Sequence, residues 1–156
     1  MDMRYLFVDR ITEVQSHALI RGIKNVAMSE DFLSFHFPDN PVMPGALLLE
    51  ALVQLAGWLE AQSTLFNRWI LLRRVGRCRY YGFARPGDQV NLEVICLPST
   101  DSNVRMYRGI GTGKGKKMID VEFEGAVQSL ATLHDPVRAQ HLFQILTRDR
   151  GFDPNG

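Results

Sequence analysis

The sequence has little cysteine, no long apolar run and almost no net charge, and each shortage excludes something. Two cysteines, Cys78 and Cys96, occur in 156 residues. They are too few for a disulfide scaffold or a metal knuckle, so a reduced, cytoplasmic setting is expected. Lys and Arg number 18 against 17 Asp and Glu, a net charge of +1, so no bulk electrostatic pull toward nucleic acid exists. No stretch reaches the ~18 apolar residues of a membrane span: the nearest, from Val42 to Leu59, is interrupted by Pro44, Glu50 and Gln54. Met1-Asp2-Met3-Arg4 is not followed by an apolar segment, so no signal peptide is expected. What remains is 46% hydrophobic and 10% aromatic, the composition of one soluble globular domain.

The pattern along the chain is mixed. Residues 4–28 alternate loosely, and His17 to Val26 reads as a strand. Ser29 to Leu33 reads as a capped single turn. Pro38, Pro41 and Pro44 then exclude helix interior and central strand from residues 35–45, which leaves a loop of fixed shape. Ala46 to Leu59, with an extension toward Phe66, predicts a helix that is apolar nearly all round and therefore buried on most faces. Beyond it, Trp69–Leu72, Val75–Phe83, Gln89–Cys96, Val104–Thr112 and Lys117–Leu130 read as strands. Arg85-Pro86-Gly87-Asp88 reads as a turn, and the alternating Gly109, Gly111, Gly113 and Gly115 as a flexible hairpin tip. Asp135 to Arg150 predicts an amphipathic helix with Val137, His141/Leu142 and Ile145/Leu146 on its apolar face, before six frayed residues. One long helix with five or six antiparallel strands predicts an α+β fold, a single sheet wrapped around the helix.

Two polar residues interrupt the apolar helix, Glu50 and Gln54, four apart and so on one face. A carboxylate there must be paired, hydrogen-bonded or used. His36 lies between Phe35 and Phe37 in the proline-rich loop. A histidine and a carboxylate brought into one apolar pocket form an acid/base pair.

The run His36-Phe37-Pro38-x-x-Pro41-Val42-Met43-Pro44-Gly45, followed by Glu50-Ala51-x-x-Gln54, resembles the active-site signature of the β-hydroxyacyl-acyl carrier protein dehydratases of type II fatty acid synthesis. Phe7-Val8-Asp9-Arg10-Ile11, Arg79-Tyr80 and Arg85-Pro86-Gly87-Asp88-Gln89 are similar to other parts of the same family. The likeness runs, with interruptions, from about residue 4 to 128. It implies the hotdog fold over residues 1–132, with 133–156 a helical extension of the same domain. It implies loss of water from a (3R)-hydroxyacyl thioester, with no metal or organic cofactor. His36 is then the base, Glu50 the acid, and Gly45 the amide donor to the thioester oxygen. The Val42 carbonyl orients the imidazole, and Gln54 orients Glu50 or the substrate hydroxyl. Met43, Ala46 and Phe83 are candidates for the acyl-chain lining. The family builds its site from two subunits, so a homodimer is implied, with a trimer of dimers as the larger assembly.

Two departures matter. The family carries Gly where this chain has Phe35, which lacks glycine's freedom in φ, so the loop and the substrate it admits are expected to differ. The basic run before the Pro-Gly-Asp turn is broken by Tyr81-Gly82. Arg73, Arg74, Arg77, Arg79 and Arg85 are the candidates for docking an acidic acyl carrier protein; the alternative is a charged strand edge that resists aggregation. A hotdog acyl thioesterase and a non-catalytic acyl-thioester binding module are the alternative readings of the whole chain.

Overall fold

The structure is a computed structural model and describes residues 6–148; the last helix, expected to reach Arg150, ends at Leu146 with Thr147 as its C-cap, and positions 149–156, the expected frayed end included, lie outside the described residues. Strands β1 (Arg10–Gln15), β2 (Leu19–Asn25), β3 (Arg68–Tyr80), β4 (Gln89–Leu97), β5 (Val104–Gly113) and β6 (Lys116–Ser129) form one antiparallel sheet in the order β1-β2-β4-β5-β6-β3. Helix α1 (Gly45–Ser63) lies against one face of the sheet, and α2 (Pro136–Leu146) sets its Phe143 ring beside Trp58 of α1. This is the hotdog fold: a sheet curled around one helix.

The reason for the wrapping is in α1 itself. Leu48, Ala51, Leu52, Leu55, Ala56 and Leu59 are buried, on more than one face, so a partner on one side alone leaves apolar surface in water. The sheet supplies Ile11, Ile20, Val90, Leu92, Val94, Ile119, Val121 and Phe123, all buried. Each fully buried aliphatic side chain contributes about 1.5–3 kcal/mol. Gly109 belongs to this packing and not to a flexible tip: a Cβ there would lie 3.0 Å from Leu52. The tip proper is Lys114-Gly115, both at positive φ.

Three boundaries differ from the sequence pattern. Arg10–Gln15 is a strand of its own, with a bulge between Ile11 and Glu13 that breaks its alternation. Residues 68–80 form one strand, because two bulges, at Leu72/Arg74 and Val75/Cys78, shift the facing pattern without ending the ladder. That strand stops at Tyr80 and does not reach Phe83, because the Ala84 carbonyl turns away to accept from the Met43 amide at 2.8 Å. In α2 the expected Asp135 cap is present, accepting from the Val137 amide at 3.0 Å. The apolar stripe is rotated, however: Ala139 and Leu146 are buried, while Val137 is 73% exposed. Phe143 sets the rotation by seating its ring 5.9 Å from Trp58 and 5.5 Å from Phe66, and aromatic area dominates such a contact.

Candidate active site

The loop before α1 is held by its own backbone. The Val42 amide donates to the His36 carbonyl at 2.9 Å, and Phe37 and Asn40 exchange both amide–carbonyl bonds at 2.9 Å. Asp39 accepts the left-handed conformation this turn needs, with φ of 63°; Asp tolerates it better than most residues. The His36–Phe37 peptide is cis. Buried Lys24 reaches Glu30 and lies 3.5 Å from Asp9, which ties β2 to the segment leading into the loop.

His36 is half-buried, and its Nδ1 lies 2.9 Å from the Val42 carbonyl oxygen. A carbonyl only accepts, so Nδ1 carries the hydrogen and Nε2 of the neutral ring keeps its lone pair. Gly45 is the first residue of α1, after Pro44 at the N-cap. The Leu47 and Leu48 amides both turn to the Pro44 carbonyl, at 2.9 and 3.4 Å. Among the described residues the Gly45 and Ala46 amides have no acceptor, so two donors point out from the positive end of the helix.

Glu50 lies about one and a half turns into α1. Its Oε1 accepts from Gln54 Nε2 at 3.1 Å, and Gln54 Oε1 accepts from the Phe7 amide at 2.9 Å. No hydrogen bond joins His36 to Glu50 among the described residues. Met43 and Val42 are buried, whereas Ala46 and Phe83 are exposed. Phe35 is 88% exposed and is not among the positive-φ residues. Its ring stands away from the loop, and the conformation does not call on a glycine's freedom.

Arg73, Arg74, Arg77 and Arg79 project from exposed positions of β3, an edge strand. Arg85 lines a groove of about 730 Å³ between the Tyr81–Phe83 segment and the hairpin tip, whose far wall carries Lys114, Lys116 and Lys117. Lys114 pairs with Asp88 at 3.2 Å and Lys117 with Asp120 at 3.0 Å.

Sequence reading gave no role to two further residues: Tyr80, which touches this site, and Glu60, farther along α1. Tyr80 donates its hydroxyl to the Gly45 carbonyl at 2.8 Å. Only the register of β3 brings it there, and no local pattern signals that. Glu60 is a third polar residue on α1, 3% exposed and bound by Arg105 at 3.2 Å through both oxygens. The expected extension of the helix toward Phe66 covers Glu60; what the sequence does not show is its partner Arg105, 45 residues away.

A curled antiparallel sheet around an apolar helix, with a histidine loop at the helix N-terminus, defines a protein of the hotdog class. The FabA-like domain model matches residues 2–122. The chain belongs to the FabA-like family and is an enzyme of its hydro-lyase class. A 3-hydroxyacyl-(acyl-carrier-protein) dehydratase FabZ of Bacillus licheniformis is 40% identical over 119 residues, 76% of this chain and 78% of the relative. The FabZ dehydratase of Caldanaerobacter subterraneus is 40% identical over 125 residues, 80% and 84% of the two chains. Among solved structures, a Streptococcus mutans protein bound to acetyl CoA superposes with a TM-score of 0.62 at 11% identity, over 83% of this chain and 96% of that one. The PaaI protein of E. coli gives 0.60 at 9% identity, over 75% and 81%. These two likenesses carry the fold alone.

Proposed function

We propose that this protein removes water from (3R)-hydroxyacyl chains carried on acyl carrier protein, giving the trans-2-enoyl thioester. His36 Nε2 takes the C2 proton. The electron pair of that C–H bond becomes the C2–C3 double bond as the C3–O bond breaks. Glu50 gives its proton to the departing hydroxyl, which leaves as water. The Gly45 amide, at the helix N-terminus, holds the thioester oxygen as charge builds on it. Proton transfer from the imidazolium back to the carboxylate, through water, resets the pair. The observation that carries this reading is the 2.9 Å contact from His36 Nδ1 to the Val42 carbonyl, because it fixes the basic nitrogen on the other side of the ring. FabZ relatives at 40% identity support the substrate class.

The acid and base come from different copies of the chain. β3 supports this: it is a thirteen-residue edge strand, and Leu71, Leu72 and Val75 on it are exposed. Such an edge pairs readily with another chain, here a second copy in a homodimer, with a trimer of dimers as the larger form. Met43, Ala46, Phe83 and Phe35 then line the path of the acyl chain. The carrier protein, acidic on its docking face, approaches Arg85 and the lysines of the neighbouring groove, with Arg73, Arg74, Arg77 and Arg79 extending the positive field.

The test is incubation with a (3R)-hydroxyacyl-acyl carrier protein while following the mass of the acyl chain. Loss of one water, abolished in His36→Ala, is the expected result. Loss of the whole acyl group identifies a thioesterase instead, and an unchanged chain across several lengths sinks the enzymatic reading.

A further inference from the structure

Tyr80 stands at the last position of β3, opposite the first turn of α1. Its hydroxyl donates to the Gly45 carbonyl at 2.8 Å. Its ring fills the space where a Cβ on residue 45 would be, with Cε1 at 2.8 Å and Cζ at 3.0 Å. The Gly45 carbonyl and the Ala46 amide belong to one peptide unit. That amide is one of the two donors at the start of α1 with no acceptor among the described residues. A hydrogen bond to the oxygen of a peptide polarises the unit and makes its N–H a stronger donor. The same bond fixes the tilt of the unit against the sheet.

Resting on the dehydratase reading, we infer that Tyr80 is a positioning residue, which through the Gly45–Ala46 peptide makes the Ala46 amide a second donor, beside Gly45, to the thioester oxygen. The hydroxyl is suited to this. Tyr80 is half-exposed; its partial burial, with Cys78 beside it, pushes its pKa up to about 12, so it stays a donor across the whole working range of a thioester enzyme. Tyr80 does not touch the reacting atoms; it acts on a group that does. The contact also accounts for a glycine at the start of α1, since a side chain there collides with the ring that holds the peptide.

The experiment compares wild-type protein with Tyr80→Phe, which keeps the ring and removes only the hydroxyl. Three quantities are read: kcat and KM on a (3R)-hydroxyacyl-acyl carrier protein, the infrared carbonyl stretch of a bound ¹³C-labelled trans-2-enoyl thioester, and the melting temperature. The expected result is a fall in kcat of about tenfold, smaller than the loss of a direct oxyanion donor, with KM within about twofold. The carbonyl stretch should move back toward its solution value while melting is held. An unchanged kcat, or a lowered kcat with the stretch unmoved, overturns the assignment, because a purely structural role changes no carbonyl polarisation. Wild-type turnover separates the two levels. No dehydration by the wild type removes the dehydratase reading itself, whereas normal turnover by both proteins removes only the role of Tyr80.

Discussion

Gln54 and Glu50 are joined by one hydrogen bond whose direction is set from outside the pair. The Gln54 oxygen accepts from the Phe7 amide at 2.9 Å, so its nitrogen faces Glu50 and donates to Oε1 at 3.1 Å. A protonated Glu50 therefore carries its hydrogen on Oε2. Gln54→Leu removes this bias and the acceptor for Phe7. The expected outcome is a kcat lowered about tenfold and a stability loss of about 1–3 kcal/mol, read by steady-state kinetics and urea unfolding. Unchanged kcat with lowered stability would confine Gln54 to a structural role.

Gly57 tests the packing of α1 on the sheet. On helix propensity alone, Gly57→Ala stabilises by about 1 kcal/mol. Here a Cβ would lie 2.3 Å from the Trp69 ring, and that ring is wedged edge-on against Trp58 at 5.1 Å. Overpacking at such a site costs about 1–3 kcal/mol, so the variant should be the less stable protein in urea. A more stable variant would show that Trp69 can move aside.

The Glu60–Arg105 pair is buried on the carboxylate side and bidentate. Arg105→Ala leaves Glu60 charged in a nearly closed site, an expected loss of about 3–5 kcal/mol. Replacing both partners, as in Glu60→Leu with Arg105→Met, removes the charge and the desolvation together and should cost far less than Arg105→Ala alone. A double-mutant cycle by chemical unfolding reads the difference. If the double variant is as unstable as the single, the pair itself is a net source of stability.

What was legible in the sequence was whatever local chemistry dictates. Three prolines forced the 35–45 loop, continuous apolarity forced a buried α1, and Arg85–Asp88 and the Lys114–Gly115 tip followed from turn residues. The contact of the Val42 carbonyl with His36 could be expected only from the family likeness, since nothing in a valine announces a carbonyl contact. What was not legible depended on register and on distant partners. The bulges in β3 hid a single strand behind two apolar runs. Phe143 rotated α2 because Trp58 and Phe66 stood beside it. Tyr80 met Gly45 across 35 residues.

Acid should weaken the fold through two carboxylates. Asp120 is held down to about 2 by the Arg108 guanidinium, with help from Lys117. Asp88 is lowered chiefly by the Arg85 backbone amide, and by Lys114. Both lie below the ~3.9 of an unfolded aspartate, so the unfolded chain binds protons first on the way down. Their stabilisation is complete above about pH 5 and is lost as pH falls through 4 toward 2. Stability measured by urea unfolding should therefore drop across that window. Asp120→Asn should be less stable at pH 7 and lose less on acidification. Parallel pH profiles for the two proteins would contradict the assignment.

The sharing of the site between two copies has its own decisive outcome. His36→Ala and Glu50→Gln should each be inactive alone, because general acid–base partners each carry about 10²–10⁴-fold of rate. Co-unfold and refold the two variants in equal amounts, so that subunits exchange. In a mixed dimer with shared sites, one site takes both damaged residues and the other takes both intact ones. Random pairing makes half the dimers mixed, each with one good site of two, so activity should recover to about a quarter of wild type. If instead each site is built within one protomer, every site in the mixture carries one damaged residue and nothing is recovered. Activity near a quarter therefore places His36 of one copy opposite Glu50 of the other, and its absence, with mixed dimers verified by mass, puts the acid and base in the same chain.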